Sequence, residues 1–209
     1  MTPRLPSDPY TWFALVVSAV VALSATAVFA AIALNFLAAK EAGRVAERRR
    51  GPVATATMVL FFVGYYLLLR FRVGVVETSR PVAVVLALVG LVPVVLGCVV
   101  NLLGRVRLGA NWADHVTIYE RQTLVTRGVF GVVRHPLYAS LVWMFAGAAL
   151  VFRNYAALLA DLLIFLPAMN WRAAQEEKLL AARFPEYDAY RRRVARFFPR
   201  LWRARDGNL

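Results

Sequence analysis

The chain holds a single cysteine, Cys98, and two histidines, His115 and His135. One cysteine excludes an intrachain disulfide and any zinc site built on several thiolates, and two histidines leave little from which to assemble another metal centre. Charge is also sparse. Only 18% of the 209 residues are charged, against about a quarter in soluble domains, while 60% are hydrophobic. Acidic residues are the scarcest class of charge: 12 Asp and Glu face 25 Lys and Arg, for a formal net charge of +13, and only Lys40 and Lys178 are lysine. A basic excess of this size is found in nucleic-acid-binding proteins, but here the apolar residues come in long blocks. That patterning excludes a disordered basic tail and a typical soluble nucleic-acid-binding domain.

A helix that crosses the hydrocarbon core needs about 20 largely apolar residues at 1.5 Å rise each. Five blocks approach or exceed that length: 10–37, 53–69, 81–103, 137–151 and 155–169. The last two are separated only by Arg153 and Asn154, which predicts a tight helical hairpin. No internal repeat, heptad run or linker divides the chain, so the expectation is an all-α integral membrane protein, one membrane domain over 1–209 with about five transmembrane helices. With the N-terminus outside, 20 basic residues fall in inner segments and 5 in outer ones. This bias places the C-terminus in the cytoplasm, consistent with a multi-pass protein of the bacterial inner membrane. It also accounts for the net charge without nucleic acid, since each basic residue near an anionic lipid surface gains about 1 kcal/mol.

Two segments on the inner side are too organised to be plain loops, 109–138 and 171–199. Only the hairpin lies between them, so both emerge on one face of the membrane and can meet there. In the first, Thr126-Arg127-Gly128 is a turn signal and Arg134-His135-Pro136 opens the fourth span. Proline suits the first helical position, and a helix start presents N–H groups and the positive dipole end to an anion. His135 stands beside that end, with Tyr138 about one turn in. The same residues would also serve as ordinary interfacial groups at a helix start. In the second segment, Arg172 and Glu176 are four apart on one helical face, which suits either a binding pair or a weak surface ion pair. Glu177 points about 100° away. Phe184-Pro185 breaks the helix, and Tyr187 and Tyr190 follow as interfacial anchors or as faces for a cofactor. Asp161 falls inside the fifth span, where an ionisable group is expensive. It is expected to reach the outer interface, to pair with an arginine of the second loop, or to have a function.

These residues form a pattern. Gln122-Thr123-Leu124-Val125-Thr126-Arg127-Gly128-Val129-Phe130, then Arg134-His135-Pro136-Leu137-Tyr138, then Glu176-Glu177 with Leu180, Phe184, Tyr187 and Tyr190, resembles the cofactor-binding signature of the isoprenylcysteine carboxyl methyltransferase (ICMT) family and its bacterial relatives. The likeness covers roughly residues 100–200, and the first two spans match only as hydrophobic helices. What it implies is a membrane-embedded enzyme using S-adenosyl-L-methionine (SAM) without a soluble Rossmann domain, and the chain has no G-x-G-x-G loop after a strand. By position, Gln122, Thr123, Leu124 and Val125 would line the adenosine side, Phe130 would pack on the cofactor, and His135, Pro136, Leu137 and Tyr138 would hold the methionine end. Glu176 would contact the cofactor and Arg172 the methyl acceptor, making these two the catalytic candidates. The C-terminal cytoplasmic segment, 171–209, would cap the pocket, with Tyr187 and Tyr190 offering aromatic faces to its cationic groups.

Gln122 stands where some relatives have His, Phe130 where Tyr is usual, Ser140 where Gly often follows the RHPxY run, and Pro185 where Gly usually follows Phe184. The last two substitutions are expected at the acceptor entrance. The resemblance implies a SAM-dependent methyltransferase acting on a lipophilic acceptor among the membrane lipids, foremost an isoprenylcysteine-like carboxylate. A phospholipid amine or a small thiol are the alternatives within that fold. An NADPH-dependent membrane reductase of related fold and a non-catalytic membrane subunit are readings of other classes.

Overall fold

The computed structural model describes residues 8–39, 45–49, 52–109, 116–119 and 123–200. Each of the five apolar blocks is helical. The elements are α1 (Pro9–Ala39), α2 (Pro52–Arg70), α3 (Arg80–Leu108), α4 (Pro136–Val151), α5 (Tyr155–Ala160), α6 (Leu166–Arg183) and α7 (Tyr187–Arg193). A π-helical turn, Asp161–Phe165, joins α5 to α6, so that Tyr155–Arg183 is one rod. By length and composition, Pro9–Asn35, Arg80–Leu108 and Tyr155–Arg183 can each cross a membrane, while Ala56–Arg70 and Pro136–Val151 are shorter apolar helices. The rod is longer than a bilayer requires, and its polar end, from Arg172 on, continues past the apolar stretch. Large apolar side chains cover the outside of the helices, among them Leu23 at 70% and Leu60 at 71% exposure, as expected of surfaces solvated by lipid.

The expectation of a wholly α-helical chain needs one correction. Strands β1 (Val45–Arg49) and β2 (Val116–Tyr119) pair antiparallel, Arg49 opposite Val116 and Glu47 opposite Ile118, with an irregularity between Val45 and Glu47. The Val116-Thr117-Ile118-Tyr119 run is β-branched and aromatic, the composition that favours an extended backbone.

Helix boundaries follow local chemistry. Proline opens α3 and α4. Asn154 caps α5, its Oδ1 accepting the Ala157 N–H at 2.9 Å, while its Nδ2 donates to the Leu68 carbonyl at 3.0 Å. The buried amide thus ties the α4–α5 turn to the end of α2. Phe184 ends α6, and Pro185 prevents its continuation.

The closest packing is between α3 and α4. The buried stripe of α3, Ala83, Ala87, Gly90, Val94, Gly97, Asn101 and Gly104, repeats every three or four residues and is built mostly from small side chains. A Cβ on Gly90 would lie 2.5 Å from the Gly147 carbonyl oxygen, and one on Gly97 would lie 2.7 Å from that of Ser140. The two backbones therefore touch, as small-residue helix interfaces in membranes permit. On the other side of α4, Phe61 and Tyr65 of α2 interleave with Phe145 and Phe165; the Phe61 and Phe165 rings stack at 4.5 Å.

Asp161 departs from two of its three expected roles. It is fully buried, and neither carboxylate oxygen has a hydrogen-bond partner among the described residues. It neither reaches the surface nor pairs with an arginine of the 70–80 loop; it stands buried at the start of the π turn.

Gly90→Ala is expected to destabilise the protein by about 1–3 kcal/mol, since the clash is with backbone that cannot step aside. Gly64→Ala meets nothing within 4 Å and is expected to be neutral or stabilising by up to about 1 kcal/mol. Thermal unfolding of both variants in one detergent tests the contrast.

Candidate functional site

The fourth helix begins under a strap. Residues 194–196 run parallel to 133–135: Arg134 N–H donates to the Ala195 carbonyl at 2.8 Å and His135 N–H to that of Arg196 at 3.2 Å. The Arg134 side chain reinforces this pairing by donating to the Val194 and Arg191 carbonyls. Pro136 lacks an N–H and has no donor to lose in this arrangement. His135, buried at 7% exposure, is thereby fixed with its ring beside the rod.

Two consecutive glutamates of α6 meet that ring from two sides. Glu177 Oε1 lies 3.0 Å from His135 Nε2, and Glu176 Oε2 lies 3.4 Å from His135 Nδ1. With an acceptor at each nitrogen, the imidazolium is the form that fits. Burial alone would lower the His135 pKa, but hydrogen bonds and charge from Glu176 and Glu177 outweigh it and raise the pKa above its ordinary 6.5. Glu177 also accepts from Arg134 Nη2 at 2.9 Å and from Arg196 Nη2 and Nε at 2.7 and 2.9 Å. Burial would raise its pKa, yet the bonds from His135, Arg196 and Arg134 hold it well below the usual carboxylate range. Charge-assisted bonds of this kind contribute about 1.5–3 kcal/mol each.

Glu176 works in a different direction. The Tyr138 hydroxyl donates a short hydrogen bond to it, and Arg172 Nε donates to the same hydroxyl oxygen at 2.8 Å. Arg172 and Glu176 are 3.9 Å apart, and the guanidinium carbon lies 5.6 Å from the centre of the Tyr138 ring. Arg172 is 7% exposed, so the four-residue spacing marks a buried pair organised by a tyrosine and not a loose surface contact. The His135 and Tyr138 rings lie parallel, 10° apart in plane with centroids at 5.8 Å.

Beside Arg172 an apolar cavity of about 190 Å³ opens between α2 and the rod, with Thr57, Met58, Phe61, Phe165 and Met169 in its walls. Arg172 Nη1 lies 3.2 Å from the Met58 sulfur. Among the described residues, the charged side chain of that cavity is thus the one bonded to Tyr138.

A second polar chain holds the first turn of α4 from behind. Asn101 Nδ2 donates to Ser140 Oγ at 2.8 Å, Arg105 Nε donates to Asn101 Oδ1 at 2.8 Å, and Arg105 Nη1 donates to Asn35 Oδ1 at 2.8 Å. This places Ser140, which is fully buried, against α3 and not among the walls of the cavity. The expectation that it shapes an acceptor entrance is therefore corrected: its hydroxyl links helices.

The structure brings His135, Tyr138, Arg172 and Glu176 into one cluster. Pro136 starts the helix beneath it, and Leu137 is half-buried against Gly104. Phe130 is buried in a short turn, Gly128–Gly131, where its carbonyl accepts the Tyr190 hydroxyl at 2.6 Å. Tyr187 and Tyr190, at 1% and 4% exposure, pack together with Leu124, Leu180 and Phe184. Thr123 is exposed and Val125 half-buried, whereas Gln122 lies outside the described residues. Sequence reasoning missed Glu177, Arg134 and Arg196 as a bonded set, and Asn101 with Arg105. For the latter pair a signal existed, because polar residues in an apolar helix call for partners.

Comparison with known proteins finds relatives over the stretch that holds these residues. Residues 88–182 match the model of the isoprenylcysteine carboxyl methyltransferase (ICMT) family. Over 95 residues the chain is 33% identical to the cobalt-zinc-cadmium resistance protein CzcN of Cupriavidus metallidurans, a stretch covering 45% of this chain and 44% of that protein. Over 109 residues it is 29% identical to a probable protein-S-isoprenylcysteine O-methyltransferase of Oryza sativa subsp. indica, covering 51% of this chain and 57% of that one. The chain thus spans about half the length of the curated relatives it matches. The solved structure of the eukaryotic intramembrane Ras methyltransferase ICMT superposes with a TM-score of 0.51 at 21% identity, covering 72% of this chain and 53% of that chain, a likeness of fold. The resemblance carried by the two motifs is borne out: over residues 88–182, the stretch that holds Arg134 to Tyr138 and Arg172 to Glu177, this chain matches the isoprenylcysteine carboxyl methyltransferase family.

Proposed function

We propose that the protein is a membrane methyltransferase that uses SAM and methylates a lipophilic acceptor bearing a carboxylate, of the isoprenylcysteine type. The observation that carries this reading is the Arg172–Tyr138–Glu176 chain at the end of an apolar cavity between two helices. It puts a cationic clamp, a hydroxyl and a carboxylate side by side where a hydrophobic tail can approach from the lipid.

The residues fit the cofactor by their chemistry. SAM carries a carboxylate, an ammonium and a sulfonium. Glu176 is an anion, the Tyr138 ring offers a face to a cation at about 0.5–2 kcal/mol, and the start of α4 with His135 suits the carboxylate. By their place in the motif, Gln122, Thr123, Leu124 and Val125 are assigned to the adenosine side, and Phe130 to packing on the cofactor. Tyr187 and Tyr190 support this side by packing on Leu124 and bonding Phe130. When bound, SAM supplies a methyl group made electrophilic by the sulfonium. The chain's own work is alignment, exclusion of water and placement of charge. Arg172 holds the acceptor carboxylate by a planar pair of N–H donors. An ionised carboxylate is already a nucleophile at neutral pH, so the reaction asks no side chain for a general base. Segment 171–209, of which 201–209 lie outside the described residues, is assigned as the cap, and the site faces the cytoplasm in this reading, as the bias of basic residues supports. One membrane domain then comprises the whole chain.

Purified protein in detergent is expected to bind S-adenosylhomocysteine at one site per chain by calorimetry, and not NADPH. No heat at millimolar ligand, or saturable NADPH binding instead, overturns the proposal. Glu176→Gln is expected to weaken S-adenosylhomocysteine binding about 10- to 100-fold, the loss of one charge-assisted bond. Arg172→Gln is expected to leave that binding within a few-fold and to lower methyl transfer to a carboxylate acceptor about 100-fold. Radiolabel transfer into a membrane lipid extract reads the turnover.

The sign of the pH dependence follows from the two shifted groups. The raised His135 pKa contributes stability that is fully present below about 6.5 and is lost as pH rises through the folded value. The depressed Glu177 pKa contributes stability present above about 4.5 and lost only in stronger acid. Melting temperature in detergent is therefore expected to fall from pH 6 towards pH 9, and His135→Gln is expected to flatten that slope. Equal slopes in both proteins contradict this account.

A further inference from the structure

At the end of the bundle opposite the site, a second cavity of about 220 Å³ lies between α1, α3, the end of α4 and the loop after α2. Val17, Ala83, Ala87 and Val151 form its apolar walls, while Tyr10, Arg72 and Arg153 bring polar atoms to it. The surrounding turns are stitched together. Val76 N–H donates to the Arg153 carbonyl at 3.0 Å and Tyr155 N–H to that of Gly74 at 2.9 Å, beside a bridge between Val75 and Asn154. The cavity is thus framed by hydrogen-bonded backbone.

Its two arginines occupy unusual positions. Arg72 closes the C-terminal turn of α2 with φ 56°, and Arg153 closes that of α4 with φ 52°. Each stands where a helix commonly ends in the left-handed conformation, a place that glycine takes without steric cost. In both cases the chain carries a long cationic side chain there. The Arg153 Nε is buried and has no hydrogen-bond partner among the described residues. Among the described residues the Arg72 side chain pairs with Glu77, at 3.2 Å in a pair that is 65% and 83% exposed, a contact that competes weakly with another anion. Arg80 is engaged elsewhere, 3.6 Å from Asp8 and over the Tyr10 ring. A buried N–H donor calls for an acceptor, and guanidinium groups match phosphate oxygens best. Next to the cavity the surface turns apolar, with Val16 at 60% and Val82 at 46% exposure.

We propose that this cavity is a binding site for an anionic phospholipid, whose phosphate oxygens pair with Arg153 and Arg72 while an acyl chain lies along the exposed faces of α1 and α3. The site is separate from the methyltransferase reading and does not depend on it. Bound lipid adds a link between α1, which already meets α3 through Asp8–Arg80 and Val17, and the stitched turns of α2 and α4.

The test uses the full chain in detergent by native mass spectrometry, with phosphatidylglycerol and phosphatidylcholine added in equal amounts. Retention of one phosphatidylglycerol at five-fold or more over phosphatidylcholine is expected. The double variant Arg72→Gly, Arg153→Gly removes both cations and relaxes both left-handed positions, so it is expected to fold, as an unchanged S-adenosylhomocysteine affinity or an unchanged melting temperature without added lipid shows. In that variant the preference is expected to fall to about one. Equal retention of the two lipids by the parent chain, or an undiminished preference in the double variant, overturns the proposal. Protection against heat by glycerol 1-phosphate equal to that by phosphatidylglycerol also overturns it, because the anion alone then accounts for the site.

Discussion

The architecture depends on the contact between α3 and α4, where backbone meets backbone. Glycines at 90, 97 and 147 let the backbones of the two helices touch, so their relative height and angle are set in large part by carbonyl and amide positions that cannot yield. Membrane helices gain little from burying apolar groups against each other instead of against lipid, so such close packing supplies much of what holds them together. The Asn101–Ser140 bond then fixes α4 along the same seam. Everything the site needs is referred to that seam, since His135 and Tyr138 stand on the first turn of α4. The rod that returns from the α4–α5 turn brings Arg172, Glu176 and Glu177 back to them.

The helices were legible in the sequence because their signals are local. A long apolar run has one reading in a membrane, and proline or asparagine at its edge marks where it starts. Pro81, Pro136 and Asn154 each do so within a residue or two of the observed ends. The two strands were not legible. They are short, their pairing joins residues about 70 positions apart, and nothing in either segment names its partner. Asp161 shows the same limit. Its identity announces a cost, but not that the carboxylate lies buried at the start of a π turn and not at the surface.

In the site the division falls between residue identity and residue role. The RHPxY run and the paired glutamates stood out, and the structure joins them. Helical-wheel reasoning separates Glu176 from Glu177 and sends one of them away from the cluster. It fails here because a third segment covers the second face: Arg196, which reads in sequence as one more inner-side positive charge, donates two hydrogen bonds to Glu177. Ser140 failed in the opposite sense, since a substitution near the motif suggested the acceptor entrance although the side chain faces α3. In both cases the missing information was which neighbour lies on which side of a helix.

The strap that holds the start of α4 comes from far along the chain, with 60 positions between Arg134 and Val194. The helical hairpin must therefore be inserted, and the following amphipathic stretch released from the ribosome, before His135 and Glu177 can be locked together. Assembly of the site therefore waits for residues 194–196. A nascent chain interrupted between residues 183 and 194 would carry every apolar helix and yet lack the strap that holds the start of α4, so synthesis of that strap itself licenses the site to form.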